Sequence, residues 1–198
     1  MIINDWRKDI VTIPNLLSLF RLMLIPVYMV IYLKAQETRD YIISGVILAL
    51  SCLTDMVDGQ IARRFNMITT LGKFLDPLAD KATQFTLLLC LAIRYRVLWP
   101  VLVLFFLKEV FQLIAGILSV SKGYILKGAL ISGKVCTTVL FISLVAMVVF
   151  PKMSNTTVNT IAVVDGVFLM VAFADYFLTY LGKKSRFQSL EDKPSADI

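Results

Sequence analysis

Four aspartates stand out by type and spacing: Asp55 and Asp58, then Asp76 and Asp80. Both pairs sit in apolar runs, where a charge at the bilayer centre costs about 2.5–3.5 kcal/mol on insertion scales. The i,i+3 spacing of the first pair and the i,i+4 spacing of the second put each pair on one face of a helix. A short cytoplasmic connection separates the two runs. The two helices are therefore expected to be antiparallel neighbours, with all four carboxylates at one depth. Like charges so close raise one another's pKa or recruit cations. All-oxygen ligands suit hard divalent ions, Mg2+, Mn2+ or Ca2+. Four carboxylates can hold two ions, an arrangement that clamps attacking and leaving oxygens in a displacement at phosphorus. The plainer alternative is a set of structural ion pairs with Arg63, Arg64, Lys73 and Lys81.

The residues between the pairs add to this picture. Gly59 and Ala62 are small and fall on the Asp58 side of the helix, permitting close approach of a ligand or of another helix. Arg63 can grip a phosphate with two parallel hydrogen bonds, or serve as a headgroup anchor. Gly72 opens the next run, where a bare backbone admits a ligand or simply punctuates a loop.

The elements that must position these groups follow from composition. The chain has 198 residues, 58% hydrophobic and 17% charged, with a mean hydropathy of +0.79. Soluble domains carry about 45–50% apolar and about 25% charged residues. Disorder is excluded, and so small a water-soluble body could not hide this much apolar surface. An all-α polytopic membrane protein remains. A span needs roughly 20 residues, and six apolar runs are present: about Leu16–Leu33, Tyr41 to beyond Thr54, Gly72–Ile93, Leu98–Ser121, Gly133–Phe150 and Val158–Gly182. They leave no room for a separate soluble domain. The expectation is a single membrane domain over 1–198, with its core at about 10–182 and a polar, partly disordered cytoplasmic tail at 183–198. Met1–Ile13 reads as an interfacial segment around Trp6 rather than a signal peptide.

The net charge is +6, but the basic residues are scattered between apolar runs, which suits membrane loops better than nucleic acid. With both termini inside, the cytoplasmic segments hold thirteen basic residues, whereas the outer ones hold only Lys34, Arg39, Arg94, Arg96 and Lys152. The positive-inside rule then places both termini, and the aspartates, on the cytoplasmic side of the cell membrane. Cys52, Cys90 and Cys136 lie in apolar runs with no paired spacing and read as small core residues. There is no histidine, so imidazole catalysis is excluded.

From Asp55 to Asp80 the chain reads D-x2-D-G-x2-A-R-x8-G-x3-D-x3-D. This resembles the signature of the CDP-alcohol phosphotransferase (phosphatidyltransferase) family, with every position filled. The resemblance implies a six-helix membrane domain, usually dimeric, which matches the six runs counted from hydropathy. It implies transfer of a substituted phosphoryl group from a CDP-linked donor to an alcohol, with release of CMP. By position it makes Asp55, Asp58, Asp76 and Asp80 ligands of Mg2+ or Mn2+, two ions per site. Asp55 and Asp76 would bridge both ions, and Asp80 would also accept the proton of the attacking hydroxyl. It makes Gly59, Arg63 and Thr69 contacts of the cytidine diphosphate, and Ala62 and Gly72 signature packing positions.

The stretch Pro14–Asn15–Leu16–Leu17–Ser18–Leu19–Phe20–Arg21 resembles the P-N-x-x-[ST]-x-x-R opening of bacterial phosphatidylglycerophosphate synthases and related cardiolipin synthases. By that likeness Asn15, Leu16, Leu17 and Ser18 meet the CDP-diacylglycerol head. The alternative for Asn15 and Ser18 is helix-entry chemistry. Glycerol 3-phosphate as acceptor needs cations for its phosphate, and Arg21, Lys108 and Lys134 are available. Lys108–Glu109 stands where an Arg–Glu pair is common in those synthases, and Lys lacks the guanidinium fork. Lys108 can equally form an internal salt bridge with Glu109, and Lys134 can be a plain anchor. The leading expectation is an enzyme making phosphatidylglycerophosphate. Siblings would use phosphatidylglycerol, inositol phosphate or serine as acceptor. A divalent-cation transporter would use the same acids but leave Gly59, Arg63 and Gly72 unexplained. Asp165 and Asp175 receive no role.

Overall fold

Each apolar run becomes a helix. In chain order these are α1 (Ile13–Lys34), α2 (Thr38–Arg64), α3 (Thr70–Arg94), α4 (Trp99–Ser121), α5 (Ile131–Val149) and α6 (Asn155–Leu181). A 3-10 turn, Arg96–Leu98, precedes α4. The computed structural model describes residues 13–64, 70–121, 124–126, 131–181 and 187–189. Within these, the side chains of 13, 14, 52, 53, 55–64, 70, 71, 73, 74, 120, 124–126, 181 and 187–189 lie outside the description. The expected interfacial segment up to residue 12 is outside it too. Among the described residues, four stretches are long and apolar enough to cross a membrane: Asn15–Lys34, Arg96–Ser119, Ile131–Val149 and Asn155–Tyr180.

The chain divides into two units, Met1–Arg94 with Leu144–Met153, and Tyr95–Ser143 with Ser154–Ile198. In the first, α1 packs against both α2 and α3. Its buried face carries Asn15, Ser18, Arg21, Tyr28 and Tyr32, while Leu16, Leu19, Phe20, Met23, Val27 and Val30 face outward. Polar groups inside and aliphatic ones outside is the arrangement lipid demands, because hydrocarbon cannot satisfy a buried donor. Pro26 and Pro77 sit within α1 and α3, an interruption that membrane helices tolerate when neighbours satisfy the freed backbone groups.

The far end of this unit is tied by aromatic rings. Tyr28 stacks on Tyr32 with centroids 5.6 Å apart, and Tyr41 meets Tyr32 edge-on at 5.5 Å. The Arg94 guanidinium lies 4.2 Å from the Tyr41 ring centre, and its Nη2 donates to the Pro151 carbonyl at 2.8 Å. In the α1–α2 turn, Asp40 Oδ2 accepts the amides of Gln36 and Glu37 at 3.0 and 3.2 Å. Those two amides, and then Arg39, hold its carboxyl below the usual aspartate range.

In the second unit α4 packs against α6. Phe111 meets Phe173, Phe177 and Tyr180, with centroids 5.3, 5.8 and 6.3 Å away. Ser154 caps α6: its Oγ accepts the Thr157 amide at 3.1 Å, a bond worth about 1 kcal/mol. Pro151 follows the end of α5, as expected of a residue that cannot continue a helix. Cys90 and Cys136 are buried, and the Cys52 side chain lies outside the described residues.

One small feature is added to the all-α architecture. Tyr124–Leu126 (β1) and Phe187–Ser189 (β2) pair antiparallel, with Tyr124 opposite Ser189 and Leu126 opposite Phe187. The tail expected to be polar and partly disordered therefore contributes a strand. Three residues per strand are too few to show a period of two in sequence, and the pairing partner lies far along the chain.

Candidate active site

Asp76 and Asp80 lie one turn apart on α3, Asp76 half-buried and Asp80 exposed. The i,i+4 relation sets their Cβ atoms about 5–6 Å apart on one face. Ser18, fully buried at 0% exposure, reaches across from α1, and its Oγ donates to Asp76 Oδ1 at 2.5 Å. Asn15 and Arg21 flank Ser18 on the same buried face, so the α1 motif looks inward, toward α2 and α3. Leu16 is on the outward face and Leu17 is half-buried. Gly72 is buried one turn before Asp76.

Asp55, Asp58, Gly59, Ala62 and Arg63 fall in α2, near its C-terminal end, with side chains outside the described residues, as Thr69 is altogether. Of the expected site, then, the described structure joins Ser18 to Asp76 and sets Asp80 beside it. A hydroxyl donor on Oδ1 leaves Asp76 Oδ2 and further lone pairs for another partner. An all-oxygen set of this kind fits Mg2+ or Mn2+.

The three expected acceptor cations stand in different settings. Arg21 is buried on α1. Lys108 is 2% exposed, and its Nζ donates to Glu109 Oε1 at 2.7 Å. This is the internal salt bridge that the adjacent charges allowed. Lys134, near the start of α5, is exposed.

Sequence reasoning missed how the helices of the second unit are tied to one another. Ser132 Oγ donates to Asp175 Oδ2 at 2.5 Å, bridging α5 and α6. One residue on, a Cβ at Gly133 would sit 2.8 Å from Tyr176 Oη and 2.9 Å from its Cε2, so any larger residue would have to push the ring aside. The Lys108 ammonium lies 5.9 Å from the centre of the same ring. Asp165, 1% exposed, accepts a hydrogen bond from Ser143 Oγ at 2.9 Å. The two acids that had no role each meet a serine hydroxyl. The only signal in the sequence was an acid and a serine, each inside an apolar run.

The sequence profile of the CDP-alcohol phosphatidyltransferase family matches residues 11–174. A CDP-diacylglycerol--glycerol-3-phosphate 3-phosphatidyltransferase of Aquifex aeolicus is 31% identical over 172 residues, 84% of this chain and 94% of that protein. A probable phosphatidylglycerophosphate synthase of Mycobacterium tuberculosis is 31% identical over 60% of this chain and 58% of that protein. A cardiolipin synthase (CMP-forming) of Streptomyces coelicolor is 35% identical over 55% of this chain and 52% of its own length. The match to the profile spans α1 through most of α6, including the carboxylates of α2 and α3. On this ground the chain belongs to the CDP-alcohol phosphatidyltransferase family.

Proposed function

We propose that the protein transfers the phosphatidyl group of CDP-diacylglycerol to glycerol 3-phosphate, yielding phosphatidylglycerophosphate and CMP. The observation that carries this reading is the likeness to the Aquifex enzyme of that name over 94% of its length. The carboxylates support it. At about 1.5 Å per helical residue, Asp58 stands about 9 Å from the end of α2 and Asp76 about 9 Å inside α3. Asp55 and Asp80 match each other in the same way, at about 14 and 15 Å. Helices joined through so few residues, 65–69, are expected to be antiparallel neighbours. The four acids then meet in two tiers.

Asp55, Asp58, Asp76 and Asp80 would hold two Mg2+ or Mn2+ ions. Such ions, when bound, neutralise the pyrophosphate and stabilise the departing CMP. Asp80, the more exposed of the α3 acids, takes the proton of the attacking hydroxyl. The alcohol oxygen–phosphorus bond forms, the pyrophosphate P–O bond breaks, and CMP leaves with its electron pair. Gly59, Arg63, Thr69 and Asn15 contact the nucleotide and lipid head. Arg21, Lys108 and Lys134 are the cations proposed for the acceptor phosphate, Lys108 being paired with Glu109. The acyl chains stay in the bilayer while the head stays in cytoplasmic water. The same reading makes the chain one membrane domain of six spans, both termini cytoplasmic, acting as a homodimer.

The Streptomyces relative favours a second reading, in which phosphatidylglycerol is the acceptor. CMP release by purified protein with CDP-diacylglycerol and Mg2+, across a panel of acceptors, separates the two. Stimulation by glycerol 3-phosphate alone is expected. Stimulation by phosphatidylglycerol alone would replace the acceptor, and no release with any acceptor would sink the activity.

A further inference from the structure

Hydroxyls inside apolar helices usually turn back on their own backbone. Most here do so: Thr83 donates to the Ala79 carbonyl, Ser119 to Ala115, Thr137 to Gly133 and Ser44 to Asp40. Ser18 reaches another helix and donates to Asp76. That bond links residues 58 apart in sequence, at 2.5 Å, from a side chain with no exposure. From this we infer that Ser18 is a positioning residue for Asp76, fixing the carboxylate rotamer from outside the ligand set. The inference rests on the metal reading above.

The physical reason is the freedom of a carboxylate. An Asp on a helix can rotate about two bonds, and as a metal ligand Asp76 would have to present its oxygens in a set direction. One donor on Oδ1 removes that freedom and leaves the remaining lone pairs for cations. Second-layer partners of this kind typically change metal affinity or activity 10–100-fold when removed. The geometry also ties the α1 motif to the carboxylates. The hydroxyl that the motif alone assigns to the lipid head is directed instead at the acid, while Asn15, one turn earlier, keeps the head. Ordering of α1 and ordering of the ion site become one event.

The test uses full-length protein in detergent, with Mn2+ alone as probe and no lipid present. Ser18→Thr keeps the hydroxyl, and Ser18→Val has the same shape without it. Mn2+ binding by electron paramagnetic resonance is expected to weaken about 10–100-fold in Ser18→Val and to stay near the parent value in Ser18→Thr. Metal-free thermal unfolding of the pair shows whether both fold alike. Should neither bulkier side chain fit, Ser18→Ala carries the same comparison against the parent. Equal Mn2+ affinity in Ser18→Val and the parent, with or without a raised KM for CDP-diacylglycerol, would overturn the inference. If Asp76→Asn also binds Mn2+ like the parent, the metal reading itself has failed.

Discussion

Gly133→Ala sets a methyl group directly against the Tyr176 ring. The added methyl would lie 2.8 Å from Tyr176 Oη, 2.9 Å from Cε2 and 3.2 Å from Cζ. Carbon atoms rest at about 3.5–4.0 Å, so the ring must retreat by roughly 0.5–1 Å. It is a rigid ring, not a flexible tip. The Ser132–Asp175 hydrogen bond, one residue earlier on both helices, resists separation of α5 from α6 at this level. Overpacking of this kind costs about 1–3 kcal/mol. Against it stands the helix preference of Ala over Gly, up to about 1 kcal/mol. The expected net is a loss of about 0–2 kcal/mol. A double-mutant cycle removes the ambiguity. With Tyr176→Ala the space opens, and Gly133→Ala should become stabilising by up to about 1 kcal/mol. The coupling energy should then be about 1–3 kcal/mol. Reversible unfolding in mixed detergent, followed by circular dichroism, measures all four corners. If Gly133→Ala had the same effect in both backgrounds, the ring contact would not be the reason for glycine.

Two other outcomes follow from groups already placed. Asp80→Asn keeps shape but removes the proton acceptor, and CMP release should fall at least about 10²–10⁴-fold; retention of parent activity would move the proton elsewhere. Asp40→Ala should speed amide exchange at Gln36 and Glu37 at neutral pH. Because the Asp40 carboxyl titrates lower in the folded chain, its contribution is present above the unfolded value of about 3.9. It is lost as pH falls through the lower native value. Parent and variant should therefore converge only in strong acid, and identical exchange at pH 7 would refute the cap.

Several of these features were legible in the chain before any fold. The six helices follow from local hydropathy, and Asp76 and Asp80 share a face because helical geometry requires it of any i,i+4 pair. Pro151 marked the end of α5 by the same kind of local rule. The family pattern from Asp55 to Asp80 was complete without a coordinate. Other features depend on contacts that no local rule supplies. The β1–β2 pairing joins Leu126 to Phe187, and neither three-residue stretch announces its partner. Adjacency allowed Lys108 and Glu109 to pair, and only the packed structure shows the buried ammonium 2.7 Å from the carboxylate.

The serines make the division plainest. Ser44 donates to its own helix, whereas Ser18, Ser132 and Ser143 each cross to an aspartate on another. As letters in an apolar run the four are alike. Sequence determined that α1 would be a helix with Asn15, Ser18 and Arg21 on one face, because that spacing is a property of the helix itself. Only the packing of α1 against α3 decided that Ser18 would meet Asp76. A hydroxyl can satisfy itself on its own backbone or on a neighbour, and the choice depends on which acid the neighbouring helix brings within reach.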